Sequence, residues 1–160
     1  MDAVSLETTC NDYIERIEKI FKKFRIVAMQ LKQRHKKRRT LEINDEYDVQ
    51  DLLHALLKID FDDIRAEEWT PSYAGGSVRM DFLLKDVDVV IEVKMTRSSM
   101  TAKTLGEELI IDIEKYQNHP YCKKLFCFVY DPEMRIGNPI GLKNDLESKH
   151  EEFLHVVITS

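Results

Sequence analysis

The sequence predicts an α/β domain of the α+β type, with a mixed sheet covered by helices on both faces and entered through one long amphipathic helix. Three observations carry this. Over residues 4–36 apolar residues recur at threes and fours. The rest of the chain reads helix, three strands, helix, strand, and then helix, strand. Within that series Asp81, Glu92 and Lys94 interrupt two strands that otherwise read as core, although charged residues are rarely buried.

The first helix carries its stripe on Cys10, Tyr13, Ile14, Ile17, Ile20, Phe21, Phe24, Val27, Ala28 and Leu31, with no Gly or Pro inside it. At the rise of an α-helix it would span about 45–50 Å. That length suits either packing across the body of the domain or an interface with a partner. The spacing predicts a second helix over 46–58, with Val49, Leu52, Leu53, Leu56 and Leu57 facing inward. A strand follows near 63–69, then a loop over 70–77. Strands are expected at 78–85 and 88–95, forming a hairpin centred between Asp86 and Val87. A third helix runs from about Lys103 to Asn118 and stops before Pro120. The apolar run Lys124–Tyr130 is a strand closed by Asp131-Pro132, and a short helix near 142–149 leads to a last strand over 153–159. The strand–helix–strand crossover from the third strand to the fourth is expected to be right-handed. The chain divides into a helical segment with a basic end, 1–40, and a folded domain, 41–160.

At 160 residues the chain is one domain in size, and 43% hydrophobic with 33% charged residues describes a soluble globular protein. No apolar run approaches the roughly 20 residues of a membrane span and no signal peptide is evident, so a cytoplasmic location is expected. Cys10, Cys122 and Cys127 are odd in number and lack zinc-site spacing, which suits reduced thiols. The net charge of −5 argues against a high-affinity nucleic-acid scanner. Yet Lys32, Arg34, Lys36, Lys37, Arg38 and Arg39 crowd into one stretch, and the remainder of the chain stands at −11. An acidic body with one basic patch suits local phosphate contact aided by metal ions. A solvated helix end is the competing reading of that patch.

The chemistry follows from strand geometry. On the strand Val89–Met95, Glu92 and Lys94 share one face, and Ile91 and Val93 the other. The hairpin register sets Asp81 directly across from Glu92, with Cβ atoms roughly 4.5–5.5 Å apart. Two adjacent carboxylates repel, and a divalent cation such as Mg2+, typically held by one or two carboxylates and water, resolves that repulsion. The arrangement outlines a metal-dependent phosphodiesterase. A surface ion-pair network is the plainer alternative, and the apolar flanks oppose it.

The chain resembles the PD-(D/E)xK nuclease superfamily, with its restriction-endonuclease-like αβββαβ core. More narrowly, it is similar to the domain named for the DpnII/MboI type. The resemblance runs from about Arg34 to Leu146. It rests on Glu46-Tyr-Asp-Val-Gln-Asp-Leu-Leu-His-Ala-Leu-Leu57, Glu68-Trp-Thr-Pro-Ser-Tyr-Ala-Gly-Gly-Ser77, Arg79-Met-Asp-Phe-Leu-Leu84 and Ile91-Glu-Val-Lys94 with Thr96-Arg97. Gly106–Ile113, Tyr116-Gln117-x-His119-Pro120 and Cys127–Pro132 belong to the same pattern. It implies hydrolysis of DNA with Mg2+, with Mn2+ able to substitute. Asp81 and Glu92 would be the metal ligands, completed by the main-chain carbonyl of Val93, and Lys94 would lie near the attacking water. The carboxylate that many such enzymes carry on the first core helix aligns nearest with Gln50, which favours one metal over two.

Lys94, beside carboxylates, is expected to stay charged and therefore to orient water and stabilise charge rather than act as a base. Arg79, Arg97 and Lys103 are candidate DNA contacts together with Arg34, Lys36, Lys37, Arg38 and Arg39. The loop containing Ser72, Gly75, Gly76 and Ser77 could approach a phosphate or be an ordinary turn. Glu67 and Glu68 are either outer ligands or a solvated strand face. Gln117 faces the site or caps its helix, Tyr116 reads as core, and His54, one turn after Gln50, could face the site. The five histidines show no metal-ligand spacing. The reading is a DNA endonuclease serving restriction or host defence, expected as a homodimer or higher oligomer and open to a regulatory partner or fused domain. The competing readings are a partner-binding module on a nuclease scaffold, or an RNA nuclease.

Overall fold

The computed structural model describes residues 3–67 and 79–160, with side chains from residue 12 onward. Its centre is a five-stranded sheet in the order β1-β2-β3-β4-β5. Strands β1 (Ile64–Ala66), β2 (Phe82–Leu84) and β3 (Val89–Met95) form an antiparallel meander, while β4 (Lys124–Tyr130) and β5 (Leu154–Thr159) run parallel to β3. Helix α3 (Ala102–Tyr116) links β3 to β4, and α4 (Pro139–Ser148) links β4 to β5. Each parallel connection thus has the helix that it needs. The mixed sheet and its helices are the fold class that the sequence predicts.

Two cores sandwich the sheet. On one face Phe82, Leu84, Val89, Ile91, Val93, Phe126 and Phe128 pack against α1 (Ala3–Leu31) and α2 (Glu46–Leu57). On the other, Leu83, Val90, Leu125, Cys127 and Val129 meet Leu105, Leu109, Ile113 and Tyr116 of α3. The alternation along β3 sends Val90, and with it Glu92 and Lys94, toward α3. Cys122 and Cys127 are buried free thiols.

Helix α1 is bound to the body. Ile17, Phe21, Phe24 and Ala28, spaced by helical turns, are buried. Phe21 stacks on Phe128 with ring centroids 4.5 Å apart, and Phe24 lies 5.0 Å from Tyr130. Each buried aromatic side chain of this kind contributes about 1.5–3 kcal/mol. Of the two sequence readings of this helix, packing across the domain is what its described stripe does. The helix ends at Leu31, short of residue 36. Beyond it the like charges of Lys32–Arg39 repel, and the chain makes a short 3-10 turn (His35–Lys37) with Lys36 at φ 57° and Lys37 at φ 51°. The basic run is therefore an exposed connector and not a helix terminus.

Helix α2 begins sharply because Asp45 caps it and exchanges side-chain and backbone hydrogen bonds with Asp48 in a capping box. That cap sets Glu46 as the first helical residue. Strand β1 stops at Ala66, earlier than expected, where Glu67 takes a left-handed φ of 54°. Glu68 and the loop with Ser72, Gly75, Gly76 and Ser77 lie outside the described residues. Helix α4 starts at Pro139, with Asn138 capping Gly141 N–H, three residues before the periodicity indicates. No helix among the described residues is long and apolar enough to cross a membrane.

Candidate active site

The hairpin register opposes Phe82 to Ile91, Leu83 to Val90 and Leu84 to Val89, which carried one pair further sets Asp81 across from Glu92. Toward β3 Asp81 does not continue the ladder with its backbone, although on the β1 side its carbonyl accepts the Glu67 N–H at 2.9 Å. Its Oδ2 accepts the Val93 N–H at 2.8 Å, so a carboxylate replaces the strand partner at the end of β2. Residue Val93 turns its N–H toward Asp81, and in an extended strand its C=O faces the same edge.

The two carboxyl groups influence each other electrostatically. Burial, followed by repulsion from Asp81, pushes Glu92 up to about 9, although the Tyr116 hydroxyl donates to its Oε1 and partly offsets this. Burial also raises Asp81 despite the Val93 N–H. Both carboxyl groups are thus pushed toward their neutral forms, by burial first and, for Glu92, by the neighbouring Asp81 as well.

Helix α3 supplies two residues one turn apart. Tyr116 is buried, and its hydroxyl also lies 3.1 Å from the Arg79 carbonyl. Asp112, 6% exposed, sits 3.1 Å from Lys94 Nζ. That contact is an ion pair and not a linear hydrogen bond, so Asp112 Oδ2 has no aligned donor among the described residues. Burial pulls the Lys94 ammonium down, but Asp112, Glu46 and Glu108 together outweigh it and hold the group above its ordinary value. Lys94 is thus charged, as expected, but through Asp112.

The helix carboxylate at this site is Glu46. Its Oε1 lies 3.4 Å from the Met95 N–H, and it interacts electrostatically with Lys94 and Asp81. Gln50, the sequence candidate, is half-buried one turn further along, and His54 packs on Phe82 at 5.5 Å, in the core on the opposite sheet face from Glu92. The expected apolar stripe on α2 is present, with Val49, Leu52, Leu53 and Leu57 buried, whereas the carboxylate lies one turn before Gln50. The signal was available: Glu46 directly follows an Asp cap, so it stands at the helix end nearest the strand termini. Gln117 is exposed at the C-cap of α3, where its backbone N–H bonds Ile113 O, and Tyr116 is the residue that meets Glu92. Asp112 and Tyr116 were missed because an apolar helix face gives no sign of which polar positions turn toward a neighbouring strand.

The remaining candidates lie around this centre. Arg97 is exposed and pairs with Glu108 at 2.6 Å, and Arg79 pairs with Glu67 at 2.5 Å. Lys103, Arg34, Lys36, Lys37, Arg38 and Arg39 are exposed.

Among the described residues no three His, Cys, Asp or Glu side chains converge as a metal cluster. Two adjacent hard carboxylates whose charged forms are disfavoured chiefly by burial do fit a divalent cation, which would stabilise those charges. The residues that would hold it are Asp81, Glu92 and the Val93 carbonyl.

A mixed sheet flanked by helices, with an Asp on one central strand facing Glu-x-Lys on the next, is the arrangement of a restriction-endonuclease-like domain. The family model for DpnII-MboI restriction endonucleases (REase_DpnII-MboI) matches residues 15–160. The chain belongs to that family, a family of nucleases that act on DNA. No curated protein and no solved structure matches it significantly.

Proposed function

We propose that this chain is a Mg2+-dependent DNA endonuclease whose centre is Asp81, Glu92 and Lys94. The observation that carries the reading is the juxtaposition of half-buried Asp81 with buried Glu92, both shifted toward their neutral forms, a shift that a bound cation would reverse. Asp81, Glu92 and the Val93 carbonyl would hold the ion, with Mn2+ as a substitute. When bound, such an ion lowers the pKa of water and offsets phosphate charge.

The chain's own residues do the rest. The Val93 N–H fixes Asp81, and the Tyr116 hydroxyl fixes Glu92, so neither carboxylate is free to turn away. Lys94, kept protonated by Asp112, Glu46 and Glu108, donates to a phosphate oxygen or holds the attacking water in line. Because it stays charged it does not remove the proton. That step falls to a substrate phosphate or to solvent. Glu46 carries a second carboxylate to the site's rim, where it tunes Lys94 and Asp81.

A role in restriction or host defence fits membership of a restriction-endonuclease family. Cutting both strands needs two such sites, so a homodimer is the expected working form. Incubating plasmid with the protein in Mg2+, in EDTA, and with Asp81→Ala tests the reading. Nicking or linearisation should require both Mg2+ and Asp81. Cleavage indifferent to both would overturn it, as would cleavage confined to labelled RNA.

A further inference from the structure

Two adjoining hollows open at the C-terminal ends of β3 and β4, and Glu46, which interacts with Lys94 and Asp81, lines one of them. The smaller, about 320 Å³, contains Glu46 and the exposed Tyr47. The larger, about 530 Å³, lies between α1 and the turn that follows β4. Asn44, Met95, Thr96 and Arg97 line both, so they form one continuous groove. Its near end is acidic. Its far end carries Arg25, Lys32, Arg97 and Arg135 against the single carboxylate Glu133. With Arg97 paired to Glu108, Arg25, Lys32 and Arg135 against Glu133 still leave a local excess of two positive charges on a chain of net −5, which calls for an anion.

The basic wall is held in place from within. Asp131, 2% exposed, accepts the Thr96 hydroxyl at 2.7 Å, the Arg135 N–H at 2.9 Å and the Ile136 N–H at 3.0 Å. One buried carboxylate thus ties the end of β3 to the turn that presents Arg135. That turn also holds Met134 at a left-handed φ of 53°, a conformation uncommon for such a side chain. From the other wall, Arg25 donates to the Pro132 carbonyl at 3.5 Å. Lys32 and Arg135 remain exposed on the two rims.

The geometry points to this groove as the track of one DNA strand leaving the active centre, with Arg25, Lys32 and Arg135 gripping backbone phosphates beyond the scissile one. A discrete small anion would fill only the basic lobe. Continuity with the Glu46 lobe, and the open face of Tyr47 on which a base can stack, favour an extended polyanion. This inference rests on the nuclease reading and names the surface that positions its substrate.

The test is fluorescence anisotropy of a short labelled duplex across a KCl series, in EDTA and in Ca2+. Wild type is compared with Lys32→Glu, Arg135→Glu and Lys149→Glu. All three residues are exposed, so folding is preserved, and each change alters net charge equally. Lys149 follows α4 before β5 begins, at the opposite end of the parallel strands. Lys32→Glu and Arg135→Glu should each weaken binding about tenfold and lower the salt slope by about one. Lys149→Glu should bind as wild type does. Equal weakening by all three, or by none, would overturn the groove assignment while leaving the nuclease reading intact. Failure of the wild-type protein to bind duplex DNA at any salt would remove the nuclease reading itself.

Discussion

Lys94 Nζ lies 3.1 Å from Asp112 on α3, so the ammonium at this site is anchored across the sheet–helix interface. The partner that keeps Lys94 charged is therefore separate from the two carboxylates that would bind metal. Asp112 is a positioning residue with a testable signature.

Asp112→Asn keeps the shape of the side chain and removes the attraction. Burial then pulls the Lys94 ammonium down with its largest opposing attraction removed. The rate of plasmid cleavage should fall roughly 10–100-fold, and the alkaline limb of its pH profile should move to lower pH. A uniform loss of rate with an unchanged profile would show Asp112 acting only through structure.

Glu92 makes a prediction about stability. Its pKa in the folded chain, about 9, lies above its ordinary 4.5. The protonated group therefore favours folding fully below about pH 4.5, and that contribution is lost as pH rises toward 9. Glu92→Gln should stabilise the metal-free protein, by on the order of 5 °C in Tm at pH 8, with little change at pH 4. Thermal melts at the two pH values check this. A variant less stable than wild type at pH 8 would contradict the assignment.

Tyr116→Phe removes the hydroxyl that favours the charged form of Glu92. The Mg2+ concentration for half-maximal cleavage should rise about tenfold, with the rate at saturating Mg2+ largely kept. An unchanged Mg2+ requirement would reduce Tyr116 to a core residue.

On α2, Glu46→Gln should lower cleavage at least tenfold, whereas Gln50→Ala and His54→Ala should stay within about twofold. Initial rates on plasmid at fixed Mg2+ separate the three positions. Loss of activity in Gln50→Ala alone would return that role to the position the sequence suggested.

What was legible in the sequence depended on how local each determinant is. The register of Asp81 against Glu92 follows from strand alternation and the centre of one turn, both set within twenty residues, and the observed β2–β3 pairing agrees with it. The shortness of β2 was not legible, because it arises from the Asp81 side chain taking the Val93 N–H in place of a backbone partner. Glu46, Asp112 and Tyr116 depend on how α2 and α3 are rotated against the sheet, a property of packing that a periodic stripe leaves loose. The end of α1 carries no Gly or Pro, and like-charge repulsion over Lys32–Arg39 stops it instead. The start of α4, by contrast, was written in Asn138-Pro139, a cap followed by a first-turn proline.

The central claim is that the Asp81–Glu92 pair exchanges its proton for a divalent ion. Calorimetric titration of Mn2+ at pH 7.5, in two buffers of different ionisation heat, measures that exchange directly. Wild type should bind with release of about one proton, and Asp81→Ala should lose both binding and proton release. Equal Mn2+ affinity in Asp81→Ala, or wild-type binding with no proton released, would contradict the account.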